Sequence, residues 1–187
     1  MLMFLSAKRL AFLGLLLACA ILLIVLSGII ETNSLFLLAG ASFAVGIALR
    51  ESGLRYGLGF YIAAVLLAFL LAPNKLYCIT FSAMGFYLVS TEFVWKKLES
   101  AKKIQNRKTV LWILKYGIFN IIYLPILLFF PSIVYPGNID SVFLIILFVA
   151  GQVALFVYDM AYNYFQKSIW NKVRGRINFQ LMMFITL

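Results

Sequence analysis

The sequence predicts an all-α integral membrane protein: six transmembrane helices in a compact bundle, a single domain over residues 1–187, with both termini cytoplasmic. Three observations carry this. Hydrophobic residues make up 65% of the chain and charged residues only 12%, whereas a soluble domain carries about a quarter charged residues. Apolar runs near the length needed to cross the hydrocarbon core, about 20 residues, recur along the chain. The cations also segregate: of 16 Lys and Arg, all but Lys75 fall on one side of the six-span layout, the bias that marks cytoplasmic loops.

The first span, roughly 10–30, opens after Lys8 and Arg9 and has Ala11, Gly14 and Ala18 at i, i+3 and i+7, one narrow face. Leu16-Leu17-Ala18-Cys19 matches the loose pattern that precedes a lipid-modified cysteine. The apolar run continues unbroken to Ile30, longer than a signal-peptide core, so a retained helix is expected. The second span, roughly 34–49, is short and has Ala41, Ala44 and Ala48 on one side, with Gly40 and Gly46 besides. The third, roughly 53–72, opens with Gly53, Gly57 and Gly59 and continues with Ala63, Ala64 and Ala68. In lipid no hydrophobic drive holds helices together, so small residues mark where backbones approach closely. The front half of the chain is smooth in this sense and the back half bulky.

Pro73-Asn74-Lys75 is turn chemistry. In this layout it joins spans three and four on the outer face, where Lys75 is the only cation. A lysine there snorkels to headgroups, or pairs with an anionic ligand, Glu31 or Asp140. The fourth span, roughly 76–95, carries Thr80, Tyr87 and Thr91 on one face. A basic linker, Lys96 to Lys108, leads to the fifth, roughly 109–130, where Tyr116, Asn120 and Tyr123 share a face and Pro125 should bend the outer half. The outer loop "PSIVYPGNID" is long enough to fold over a space opened there. The sixth span, roughly 141–165, has Gln152, Asp159 and Asn163 along one line. The tail after Lys172, "VRGRINFQLMMFITL", mixes basic and apolar residues and suits the inner membrane surface.

Polar side chains within hydrocarbon are costly and by default face the bundle and serve something. Tyr87, Asn120 and Gln152 lie at similar depth near the midplane, counting 1.5 Å of rise per residue. They form the expected floor of an outward-open substrate cavity, with Tyr123 and Lys75 above; ordinary interhelical hydrogen bonding is the competing account. Lys115 and Asp159 fall at matching depth nearer the cytoplasmic end and make an expected structural ion pair.

Other chemistry is excluded by composition. The chain has no histidine, the commonest general base and metal ligand, so no metal site is expected. No GxxxxGK[ST], no H-E-x-x-H and no Ser/His/Asp set is present, so no enzyme and no bound cofactor are expected. The basic excess is a topology signal and does not call for nucleic acid. Cys19 and Cys78 each lie in an apolar run and read as small hydrophobes rather than as a bridge.

In layout the chain resembles the substrate-binding S components of energy-coupling factor (ECF) transporters, the bacterial vitamin importers. The resemblance rests on length, six spans, cytoplasmic termini, the small-residue face in "AFLGLLLACA" and the block "RESGLRYGLGFYIAAVLLAFLLAPNKLYCITFSAMGFYL". It implies a multi-pass protein of the bacterial inner membrane that captures a vitamin-like small molecule outside and hands it inward. Its partners would be a transmembrane coupling subunit, touched by Ala11, Gly14 and Ala18, and ATPase subunits that hydrolyse the ATP. The absent histidine argues against the metal-importing branch. Trp95, Trp112 and Trp170 fall at the cytoplasmic interface and read as belt residues rather than pocket walls. A different class also fits: a small membrane scaffold that binds another membrane protein through its Gly/Ala faces and takes no ligand.

Overall fold

A computed structural model describes residues 7–100, 106–129 and 141–175. Every described element is helical. They are α1 (Ala7–Ile29), a 3-10 turn (Glu31–Asn33), α2 (Ser34–Ser52), α3 (Leu54–Leu71), α4 (Lys75–Ser100), α5 (Arg107–Phe129) and α6 (Ser141–Tyr164). Helix α6 runs on through a π-helical segment, Phe165–Trp170, and a last turn to residue 175. Among the described residues six helices are long and apolar enough to cross a membrane, one at each expected span. Several outrun the apolar stretches at their Lys/Arg-rich ends: α2 reaches Ser52, α4 reaches Ser100 and α5 starts at Arg107. Backbone hydrogen bonding propagates one residue at a time and does not stop where hydropathy does.

The chain divides into two compact units, Met1–Leu144 and Ile145–Leu187. In the first, α2 is the central helix, packed on α1, α3 and α4, while α5 rests on α4. Its sequence suits that place. Ala41, Ala44, Val45, Ala48 and Leu49 are all buried, and neighbouring helices meet them with Ala20, Ile24, Phe60, Ala64, Ala68 and Phe81. The alanines keep the axes close, so dispersion contacts accumulate between them.

Two turns fix the register of this packing. A single residue, Gly53, separates α2 from α3; its φ of 85° is open to glycine at no steric cost. Its N–H donates to Leu49 O and its own carbonyl accepts from Gly57 N, so one residue closes one helix and opens the next. The sharp reversal presses α3 onto α2, and a Cβ on Gly57 would lie 2.6 Å from Leu49 Cα. At the other end of α3 the ring of Pro73 packs on Gly28 of α1, where a Cβ would meet Pro73 Cγ at 2.7 Å. Between the turns, Tyr61 Oη donates to Ser82 O at 2.7 Å and Cys78 Sγ donates to Ala68 O at 3.2 Å, both joining α3 to α4.

In the second unit the buried positions of α6 are Gly151, Leu155, Asp159 and Tyr162, with Gln166 in the π-helical segment. Steps of three and four residues put them on one stripe. From Lys167 to Gly175 no residue is buried.

Candidate functional site

The turn at residues 72–76 is built from side chains that cap the helices on either side of it. Lys75 Nζ donates to the carbonyls of Phe69 and Ala72, the latter at 3.2 Å. The last carbonyls of a helix lack intrahelical donors and carry its negative pole, so a cation there satisfies both needs. Asn74 Oδ1 accepts from Leu76 N at 2.9 Å and caps the start of α4. Lys75 thus stands as an exposed C-terminal cap of α3, and Glu31 is not among its partners. Asp140 and the expected lid at 131–140 lie outside the described residues. Lys75→Met should therefore lower stability by roughly 0.5–1.5 kcal/mol, the worth of one such bond pair. Thermal unfolding in detergent checks this; an unchanged midpoint would show that the cap contributes nothing.

Several side chains of the polar stripes bond along their own helices. Thr80 Oγ1 donates to Leu76 O and Thr91 Oγ1 to Leu88 O, both at 3.1 Å. Asn120 Nδ2 donates to Tyr116 O at 2.9 Å. Such bonds to the preceding turn are how short polar side chains survive in an apolar helix. Tyr87 is buried on α4, and Tyr123 on α5 stacks on Phe119 with centroids 4.9 Å apart. Since α5 rests on α4, Tyr87, Asn120 and Tyr123 belong to neighbouring helices of the first unit. Gln152 belongs to the second, where it is half-buried.

Lys115 is buried with its ammonium 5.1 Å from the centroid of the Trp112 ring, a cation–π contact. Asp159 is buried in the second unit and takes Asn163 Nδ2 at 2.9 Å on Oδ2, while the same amide reaches Asp159 O at 2.8 Å. Each member of the expected ion pair thus has a partner within its own unit.

The small-residue faces fall into two kinds. Ala41, Ala44, Ala48, Ala64 and Ala68 are consumed by packing inside the first unit. Ala11, Gly14 and Ala18 are exposed, and a Cβ on Gly14 would meet nothing within 4 Å. Leu10, Leu15 and Leu22 are exposed on the same helix.

One pair was not anticipated. Arg50, near the end of α2, holds Glu92 of α4: its Nε donates to Glu92 Oε1 at 2.7 Å and its Nη2 lies 2.5 Å from the same oxygen. The Glu92 side chain is 10% exposed and that of Arg50 38%. An acid inside an apolar run is the sequence signal that marks such a residue; its partner, 42 positions away, carries none beyond its charge. Chemically the arrangement is a clamp between helices. No group of three or more His, Cys, Asp or Glu is placed to hold a metal ion among the described residues. No family model matches this sequence, and no curated protein or solved structure matches it.

Proposed function

We propose that this chain crosses the bacterial inner membrane six times with both ends cytoplasmic and serves as the substrate-binding subunit of an ECF-type importer. It captures a vitamin-like molecule from outside and passes it inward with a coupling subunit and ATPases. The observation that carries the reading is the contrast between small-residue faces. The alanines of α2 and α3 are packed inside the first unit, whereas Ala11, Gly14 and Ala18 of α1 face outward with open space over Gly14. A smooth helix face left outside its own bundle suits close approach by a helix of another membrane protein, which is what a coupling subunit requires. The segregation of cations supports the orientation. Tyr87, Asn120, Tyr123 and Gln152 are the binding residues of this reading, Lys75 an outer contact for an anionic group, and Lys115–Asp159 a structural pair.

The second reading is a ligand-free scaffold that uses the same α1 face. It draws on the hydrogen bonds that Thr80, Thr91 and Asn120 make within their own helices, which leave less polarity for a ligand. Native mass spectrometry of the gently purified chain, alone and after addition of a vitamin panel, separates the two. A retained small-molecule mass that disappears in Asn120→Leu or Gln152→Leu is the expected result. A spectrum that stays empty with every vitamin, while Gly14→Leu still abolishes association with a co-purifying membrane protein, would replace the importer with the scaffold.

A further inference from the structure

Helix α6 is too long for the membrane it is read as crossing. From Val142 to Gly175 it counts 34 residues, about 51 Å at 1.5 Å per residue, against a hydrocarbon core of about 30 Å. Tilt does not absorb the excess, since a mean tilt of about 20° shortens the projection by only about 3 Å. The last turns therefore leave the hydrocarbon as a helix, and their chemistry changes at the same place. Burial ends at Gln166. The backbone shifts into its π-helical segment at Phe165–Trp170, the kind of irregularity at which helix axes bend.

The end of the helix beyond Gln166 is amphipathic. Lys167, Asn171 and Arg174 stand at i, i+4 and i+7 on one side. Ile169 and Val173 occupy the opposite side, 47% and 40% exposed, with Lys172 and Trp170 on the two flanks between. Lys167 and Lys172 have no ion-pair partner among the described residues, and no acidic residue follows Asp159 anywhere in the sequence. A short apolar arc beside basic side chains, of which Lys167 and Lys172 are uncompensated, is the composition of a helix that lies in the headgroup layer over anionic lipid.

We propose that the projecting end of α6, residues 167–175, is a binding surface for anionic phospholipid headgroups. Lys167, Lys172 and Arg174 face the phosphates, and Ile169, Trp170 and Val173 dip into the acyl boundary. The inference rests on the six-span reading but not on the importer reading. Each basic side chain near such a surface strengthens attraction about fivefold, so the three together select anionic from neutral lipid.

The test uses the full chain with Trp95→Phe and Trp112→Phe, leaving Trp170 as the fluorophore, in nanodiscs of phosphatidylcholine with about a quarter phosphatidylglycerol. Bromine atoms, which quench tryptophan on contact, are placed on the phosphatidylglycerol or on an equal share of the phosphatidylcholine. Quenching at least twofold stronger from brominated phosphatidylglycerol is expected. K167Q/K172Q/R174Q should bring it down to the phosphatidylcholine level while keeping the latter unchanged, which also shows that the variant is inserted and folded. Equal quenching by both lipids in the parent overturns the proposal alone, as does a preference that survives the triple substitution. No quenching by either lipid overturns the six-span reading and this surface with it.

Discussion

Arg50→Ala lowers the unfolding temperature of the detergent-solubilised chain by about 6–12 °C, the shift for roughly 3 kcal/mol in a chain of this size. The asymmetry of exposure decides the direction and the size. Glu92 is the enclosed member of the pair, its side chain 10% exposed, while Arg50 keeps 38%. Removing Arg50 takes the guanidinium from a carboxylate whose desolvation is costly, and buried pairs broken in this way lose about 3–5 kcal/mol; partial exposure of Arg50 places this pair at the lower end. Glu92→Gln does less than half as much damage, because the amide oxygen still accepts from Arg50 and the guanidinium can turn toward water. Arg50→Met with Glu92→Leu removes both charges and should recover most of the lost stability. Thermal unfolding checks all three values, and Arg50→Met and Glu92→Leu measured singly complete the double-mutant cycle. Additive losses in the double would show that the two side chains do not act as a pair, and equal losses in the single variants that the asymmetry of exposure does not set the cost.

The helices were legible because hydropathy and length together leave few alternatives: each expected span, 10–30 through 141–165, has a helix of the structure over most of its length. Where a residue's role was set locally, the sequence also pointed near it. Pro73-Asn74 announced the turn, and Asn74 caps α4 there. Lys75 read as an outer-face cation that snorkels to headgroups or pairs with an anionic ligand, Glu31 or Asp140, and its ammonium donates to α3 carbonyls three and six positions back. Roles set by distant partners were not legible. Arg50 read as one loop charge among many; only the packing of α4 on α2 brings Glu92 beneath it. The glycines divided in the same way. Gly14 and Gly57 look alike in composition and spacing, yet one faces open space and the other a backbone.

That division supplies the second large effect. Gly57→Val costs about 3 kcal/mol or more, Gly57→Ala about 1–2 kcal/mol, and Gly14→Ala nothing or a gain of up to about 1 kcal/mol. Every helical glycine pays about 1 kcal/mol relative to alanine in backbone entropy, so the substitutions start from the same favourable term. At Gly57 a new Cβ would stand 2.6 Å from Leu49 Cα and 2.6 Å from Leu49 Cδ2. The side-chain atom can rotate away, but Cα cannot move unless α2 and α3 part. One residue, Gly53, joins those helices, so the reversal has little slack, and any parting also opens the alanine contacts between them. Overpacking of this kind costs about 1–3 kcal/mol before the wider valine is considered. Gly85 is the intermediate case: a Cβ would lie 2.6 Å from Tyr61 Cε2, a ring that can swing aside at the expense of its bond to Ser82 O. Thermal unfolding should therefore rank the alanine variants Gly57 below Gly85 below Gly14. If Gly14→Ala proves as damaging as Gly57→Ala in the isolated chain, then the α1 face is not open, and the surface on which the partner of this protein is proposed to dock is already filled.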